Sequence, residues 1–90
     1  MRRNPDFLLR RVADTNIVVP MGAATEKLAG MICLNDTGVF LWEQLAQVQT
    51  VQSLAEALVR EYEVDMVHAR EDVERFLEKL ISTGAVLDTE

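Results

Sequence analysis

The stretch Ile32-Cys33-Leu34-Asn35-Asp36-Thr37-Gly38-Val39-Phe40-Leu41-Trp42 decides the fold, because a short apolar run passes through polar capping residues straight into an apolar helix. The side chain of Asn35 or Asp36 can accept a hydrogen bond from amides left unpaired at a helix start. Beyond them Val39, Phe40, Leu41, Trp42, Leu45 and Ala46 are apolar almost all round, so this helix must be largely covered. The residues before the cap, 31–34, form a strand of which one alternate pair faces the helices, either Met31 and Cys33 or Ile32 and Leu34.

Working outward toward the N-terminus, Phe7 to Val12 and residues 17–19 have strand character. Ala13-Asp14-Thr15-Asn16 lies between them, and its Asp and Asn favour a turn, so the two runs read as a hairpin. Pro20 lacks an amide donor and suits the end of a strand or an edge. Toward the C-terminus, Thr50 caps a second, shorter helix in which Val51, Leu54, Ala55, Leu58, Val59 and Tyr62 keep helical spacing. Asp65 caps a third. Its stripe is Met66, Ala69, Val73, Phe76, Leu77 and Leu80, with His68, Glu71, Asp72, Arg75 and Lys79 projecting the other way. Gly84 ends that helix, and Val86 and Leu87 pack back as a tail. The expected fold is α+β and winged-helix-like, a three-stranded antiparallel sheet followed by three helices, in one domain over residues 1–90.

At 90 residues one hydrophobic core suffices, burying roughly 60% of the unfolded surface. One cysteine cannot close an intramolecular disulfide, no secretory leader precedes the fold, and the apolar runs are too short to span a bilayer, so a cytoplasmic, membrane-free protein is expected. Fifteen acidic against nine basic residues give a net charge of −6, although Arg2, Arg3, Arg10 and Arg11 gather at the N-terminus, where they solvate a terminus and a strand face or attract acidic partner segments.

A winged-helix-like shape raises the alternative of a DNA-binding transcription regulator. The helix that would read DNA, residues 65–82, holds five acidic residues against three basic ones, whereas duplex binding needs several Lys or Arg contacts to phosphate. Nucleic acid is therefore not the expected partner. Catalysis and metal binding also find little footing. His68 lies opposite the apolar stripe, Cys33 is a lone strand cysteine, and nothing places the two together as nucleophile and base. One Cys and one His do not make a structural zinc site without carboxylates. No phosphate-cradling Gly pattern is present. Neither enzymatic activity nor a cofactor is expected, and Trp42 and Phe40 are expected in the core and not on a ligand platform.

From Asn4-Pro5-Asp6 through Leu34-Asn35-Asp36-Thr37-Gly38, Leu41-Trp42, Thr50, Glu61-Tyr62, Asp65, and Asp72-Val73-Glu74-Arg75-Phe76-Leu77 to Gly84, the chain resembles the PqqD-like family. The resemblance implies a domain that recognises the leader segment of ribosomally made peptides awaiting modification. It implies that the leader adds as an antiparallel strand beside Met31, Ile32, Cys33 and Leu34, its side chains entering a groove between that strand and the third helix. The implied partners are a precursor peptide and a modifying enzyme, in this family often a radical S-adenosylmethionine enzyme that carries its own iron–sulfur clusters. The likeness extends to the branch serving pyrroloquinoline quinone biosynthesis and to other modified-peptide pathways, and another peptide product is the expectation.

On a helical wheel Val67, Arg70, Glu74, Glu78 and Ile81 form one shoulder of the third helix, and Asp72 and Lys79 the other. Val67, Arg70, Glu74 and Ile81 are the candidate groove residues, since Val67 and Ile81 are apolar outside the main stripe and Arg70 can pair with an acidic leader residue. In the alternative, Val67 and Ile81 widen the core contact. An open strand edge also lets two copies pair, so a monomer with some concentration-dependent dimer is expected.

Overall fold

The structure, a computed structural model, describes residues 1–21 and 32–88. Among the described residues eight elements follow in order: β1 (Arg2–Arg3), β2 (Phe7–Val12), β3 (Thr15–Pro20), β4 (Ile32–Leu34), α1 (Asp36–Gln44), α2 (Val51–Glu61), α3 (Met66–Thr83) and β5 (Val86–Leu87). The expected three-stranded antiparallel sheet is present with order β2-β3-β4, and three helices follow it.

The β2–β3 hairpin is tighter than the four-residue turn expected. Val12 pairs with Thr15, which leaves Ala13 and Asp14 as the whole loop. Ala13 takes φ 54° and is alone among described non-glycine residues in having positive φ, the sign pattern of a type II′ turn. That turn twists with the strands, so Thr15 and Asn16 are drawn into β3. Pro20 closes β3 opposite Phe7, where its missing donor is harmless, and the Met21 amide donates to the Asp6 carbonyl oxygen at 2.7 Å.

Each helix begins where its cap residue stands. Asn35 Oδ1 accepts from the Gly38 amide at 2.8 Å. At α2, Thr50 and Ser53 exchange reciprocal bonds: the Ser53 amide donates to Thr50 Oγ1 at 3.0 Å and the Thr50 amide to Ser53 Oγ at 2.8 Å. Asp65 Oδ1 accepts from the His68 amide at 2.8 Å. Gly84, with φ 88°, ends α3 in the left-handed region, and the Gly84 and Ala85 amides return to the Ile81 and Leu80 carbonyl oxygens at 3.0 and 2.9 Å.

The tail does more than pack back. β5 pairs with β1 in a second, two-stranded antiparallel sheet, Arg2 opposite Leu87 and Arg3 opposite Val86. The strand role of Arg2 and Arg3 had no signal in the sequence, since only two residues pair across the whole chain length. Asn4 reinforces the closure, its amide donating to the Ala85 carbonyl at 2.8 Å and its Nδ2 to the Gly84 carbonyl at 2.9 Å.

The core lies between the sheet and the helices. Trp42 (2% exposed), Leu41, Leu45, Leu54, Leu58, Val73, Leu80, Val18 and Val86 are its largest sealed side chains. Phe40 departs from the expected core position: it is half-buried at the edge, set against Tyr62 in an edge-to-face pair with ring centroids 5.7 Å apart and planes at 86°. On α2 the buried face is Leu54, Ala55, Ala57 and Leu58, while Val59 stays exposed and Tyr62, expected on this helix, is its exposed C-cap residue.

Candidate functional site

β4 resolves the question of sidedness that strand alternation alone left open. Ile32 is buried and Leu34 half-buried against the core, whereas Cys33 is exposed. Met31 lies outside the described residues. The strand order makes β4 an edge, and among the described residues no strand pairs with its outer side. Because successive residues of a strand direct their amide and carbonyl groups alternately to the two flanks, part of the β4 backbone points to this outer side, where no described strand meets it. The other edge, β2, carries Arg10 and Arg11 exposed along it, and charges of that kind discourage strand pairing. β4, Ile-Cys-Leu, carries none.

Beside this edge runs a cleft of about 430 Å³. Leu34 and Leu41 supply its apolar floor. Cys33, Asn35, Thr37 and Gly38 form the wall where β4 turns into α1, and Asp72, Arg75, Phe76 and Lys79 form the wall on α3. Gly38 is required for the close approach of β4 to the first turn of α1: a Cβ there would meet the Cβ and Cδ2 of Leu34 at 3.2 and 3.3 Å and Asn35 Oδ1 at 3.3 Å. On the α3 wall Arg75 donates to Asp72 one turn earlier, and both side chains remain partly exposed. Lys79 stands one turn further on.

The shoulder of α3 that borders this cleft is not the one carrying the sequence candidates. Val67 is 66% exposed and lies away from the cleft. Arg70 donates to Gln52 Oε1 of α2, Glu74 is exposed, and Ile81 is half-buried against the core. The reason is packing: the Arg70 side of the helix turns toward α2, which leaves the Asp72 and Lys79 side for β4. Of the strand and helix residues named from sequence, the cleft brings together Cys33 and Leu34, with Ile32 beneath them in the core. Asn35, Thr37, Gly38, Leu41, Arg75 and Phe76 also line the cleft and were not among the sequence candidates. Gly38 carried a usable signal, since a glycine in a first helical turn marks a close approach, and the wheel had set Asp72 and Lys79 on one shoulder.

A second, larger depression of about 530 Å³ lies among β1, the start of β2, Met21 and the end of α1. It mixes Arg2 and Arg3 with Glu43, and the Arg3 guanidinium is already drawn over the Trp42 ring, 5.9 Å from its centroid. The smaller cleft suits an extended segment better, because it joins an uncharged open edge to an apolar floor and a helix wall.

His68 sits exposed at the start of α3, with Nδ1 2.8 Å from Asp65 Oδ1. Hydrogen bonding and attraction from the Asp65 carboxylate raise the imidazole above its ordinary range, with Glu71 and Asp72 adding smaller attraction. Asp65 is correspondingly held below the usual carboxylate range, first by the His68 backbone amide and then by the His68 side chain. Both belong to the helix cap and lie outside the cleft. Among the described residues no group of three His, Cys, Asp or Glu side chains is placed to hold a metal ion. No helix there is long and apolar enough to cross a membrane.

Two solved structures share this architecture. TbiB1 in complex with the TbiA(beta) leader peptide superposes with a TM-score of 0.76 at 17% identity, covering 100% of this chain and 99% of that one. A lasso peptide synthetase B1 complexed with the leader peptide gives a TM-score of 0.72 at 21% identity, covering 96% of this chain and 95% of that one. At these identities the likeness is one of fold. No curated protein matches the chain. The family described as Coenzyme PQQ synthesis protein D (PqqD) matches residues 24–86, more than two thirds of the chain, with β4, all three helices and the first residue of β5 inside the match, and the protein belongs to that family.

Proposed function

We propose that this domain binds the leader segment of a ribosomally made precursor peptide as an additional strand on β4 and presents the precursor to a modifying enzyme, itself performing no chemistry. The observation that carries this reading is the uncharged edge of β4, which has no partner strand among the described residues, beside the cleft against α3. Family membership and the leader-bound state of the two structures of like fold support it.

Magnitudes explain why both edge and cleft are needed. Each inter-strand hydrogen bond is worth about 1 kcal/mol net, and so short a strand offers only a few. Association itself costs about 4 kcal/mol or more, so backbone pairing alone would leave negligible affinity. One or two apolar leader side chains buried against Leu34, Leu41 and Phe76, at about 1.5–3 kcal/mol each, raise the total to at most about 5 kcal/mol, a sub-millimolar affinity. Backbone pairing then supplies direction and register, and the cleft supplies selectivity. The modifying enzyme, of radical S-adenosylmethionine or other type, would act on the core segment beyond the domain's surface. DNA binding gains nothing from the structure, because Glu71, Glu74 and Glu78 are exposed along α3.

Cys33 provides the test. It is exposed on β4 and is the protein's sole thiol, so its alkylation rate reports whether the edge is covered. Fluorescent peptides tiling the leaders of short precursors encoded beside this gene are titrated against the full chain, and alkylation by iodoacetamide is timed with and without each binder. Binding with alkylation slowed fivefold or more is the expected result. Peptides that bind and leave the thiol rate unchanged would place the site elsewhere.

A further inference from the structure

We propose that the cleft selects leader segments carrying an acidic side chain two residues from an apolar anchor, with Lys79 as the charged partner; this rests on the strand-addition reading above and adds a rule for its ligand.

Charge on α3 is sorted by face. The helix holds four acidic residues, Glu71, Asp72, Glu74 and Glu78, of which only Asp72 borders the cleft. It holds three basic residues, and two of them, Arg75 and Lys79, border it, while Arg70 is turned onto Gln52. The β4 and α1 wall contributes no charge. The lining therefore sums to one positive charge, Arg75 and Lys79 less Asp72, in a chain of net charge −6. Arg75 is already neutralised by its bond to Asp72. Among the described residues the Lys79 ammonium has no partner, and it is the cation left for a ligand.

Spacing sets where the acidic residue must stand. Phe76 and Lys79 are three residues apart, a rise of about 4.5 Å along the helix. Side chains on one face of an added strand recur every 6.5–7 Å or so. The long, flexible lysine stem spans the difference, so an apolar side chain set between Phe76 and the Leu41 floor places the next same-face residue of the ligand within reach of the ammonium. A carboxylate there is attracted, and a lysine or arginine is repelled.

The test is selection from a displayed library of random dodecapeptides against the immobilised full chain and its Lys79→Glu and Lys79→Met variants. Lys79 is exposed, so all three fold alike, which matched melting curves verify. The wild type is expected to enrich peptides with Asp or Glu two positions from Leu, Ile, Val or Phe. Lys79→Glu is expected to enrich Lys or Arg at that position, and Lys79→Met to lose the preference. A peptide selected on the wild type should bind Lys79→Glu about three- to tenfold more weakly, the gap narrowing in high salt. An identical consensus from all three proteins, or one without a charged position, overturns the charge rule and leaves strand addition standing. Absence of any enrichment, or enriched peptides that do not slow Cys33 alkylation, overturns both.

Discussion

Gly38 acts by having no side chain. It lets β4 lie against the first turn of α1, and its replacement by Ala would force Leu34, whose Cβ is held in place by the strand backbone and cannot swing aside. Alanine gains about 1 kcal/mol in helix propensity, but overpacking costs about 1–3 kcal/mol, so Gly38→Ala should lower stability by about 1 kcal/mol net, read from the urea midpoint. Peptide affinity should fall with it, since Leu34 is the cleft floor. Ala13 is the opposite case. Left-handed backbone costs an L-residue about 1–2 kcal/mol, and Ala13→Gly removes that strain while adding unfolded-state entropy worth about 0.4–1 kcal/mol. A net gain of about 0.5 kcal/mol in the same assay is expected. Trp42, sealed at 2% exposure, should cost about 3–5 kcal/mol when cut to Ala, and a melt showing almost no loss would contradict its burial.

At the scale of elements, α3 carries both a structural cap and the cleft wall, and pH acts on the first. His68 is raised by Asp65, so its contribution is fully present below the ordinary imidazole value of 6.5 and disappears as pH climbs through the higher folded value. Asp65 is lowered by the His68 amide and ring, so its contribution is present above 3.8 and disappears as pH falls through the lower folded value. The cap is therefore most effective between those two ordinary values. Melting temperatures recorded across pH should decline on the alkaline side of 6.5 in the wild type more than in His68→Ala, with the acid limb kept in both. Equal alkaline slopes would show that this exposed ion pair adds nothing in solution.

For the whole molecule, the two sheet edges behave differently. β2 is guarded by arginines and β4 is not, so self-association should run through β4. Sedimentation velocity is expected to show monomer at low micromolar concentration, some dimer as concentration rises, and monomer again when a binding peptide saturates the edge. A dimer that persists with bound peptide would assign the contact to another surface, such as β2 with Leu8 and Val12 exposed beside it. The net charge of −6 opposes close approach of copies and of phosphate backbones alike.

Much of the architecture was written locally. Asn35, Thr50, Asp65 and Gly84 mark helix ends through hydrogen bonds made within three to five residues, and the apolar stripe of α3 follows from helical period, so boundaries and faces were legible without coordinates. The family resemblance was legible for the same reason, since its residues sit at those junctions. Three features came only from the tertiary structure. Arg2 and Arg3 became a strand because β5 met them from the far end of the chain. Ile32 and Leu34 turned inward because β4 registers against β3, Val18 opposite Ile32 and Asn16 opposite Leu34, a choice that a period of two permits either way. The cleft fell on the Asp72, Phe76 and Lys79 side because α2 covers the Arg70 side of α3. Periodicity tells how a helix divides into faces, but which neighbour each face meets depends on contacts between residues remote in sequence, and those exist only once the chain has packed.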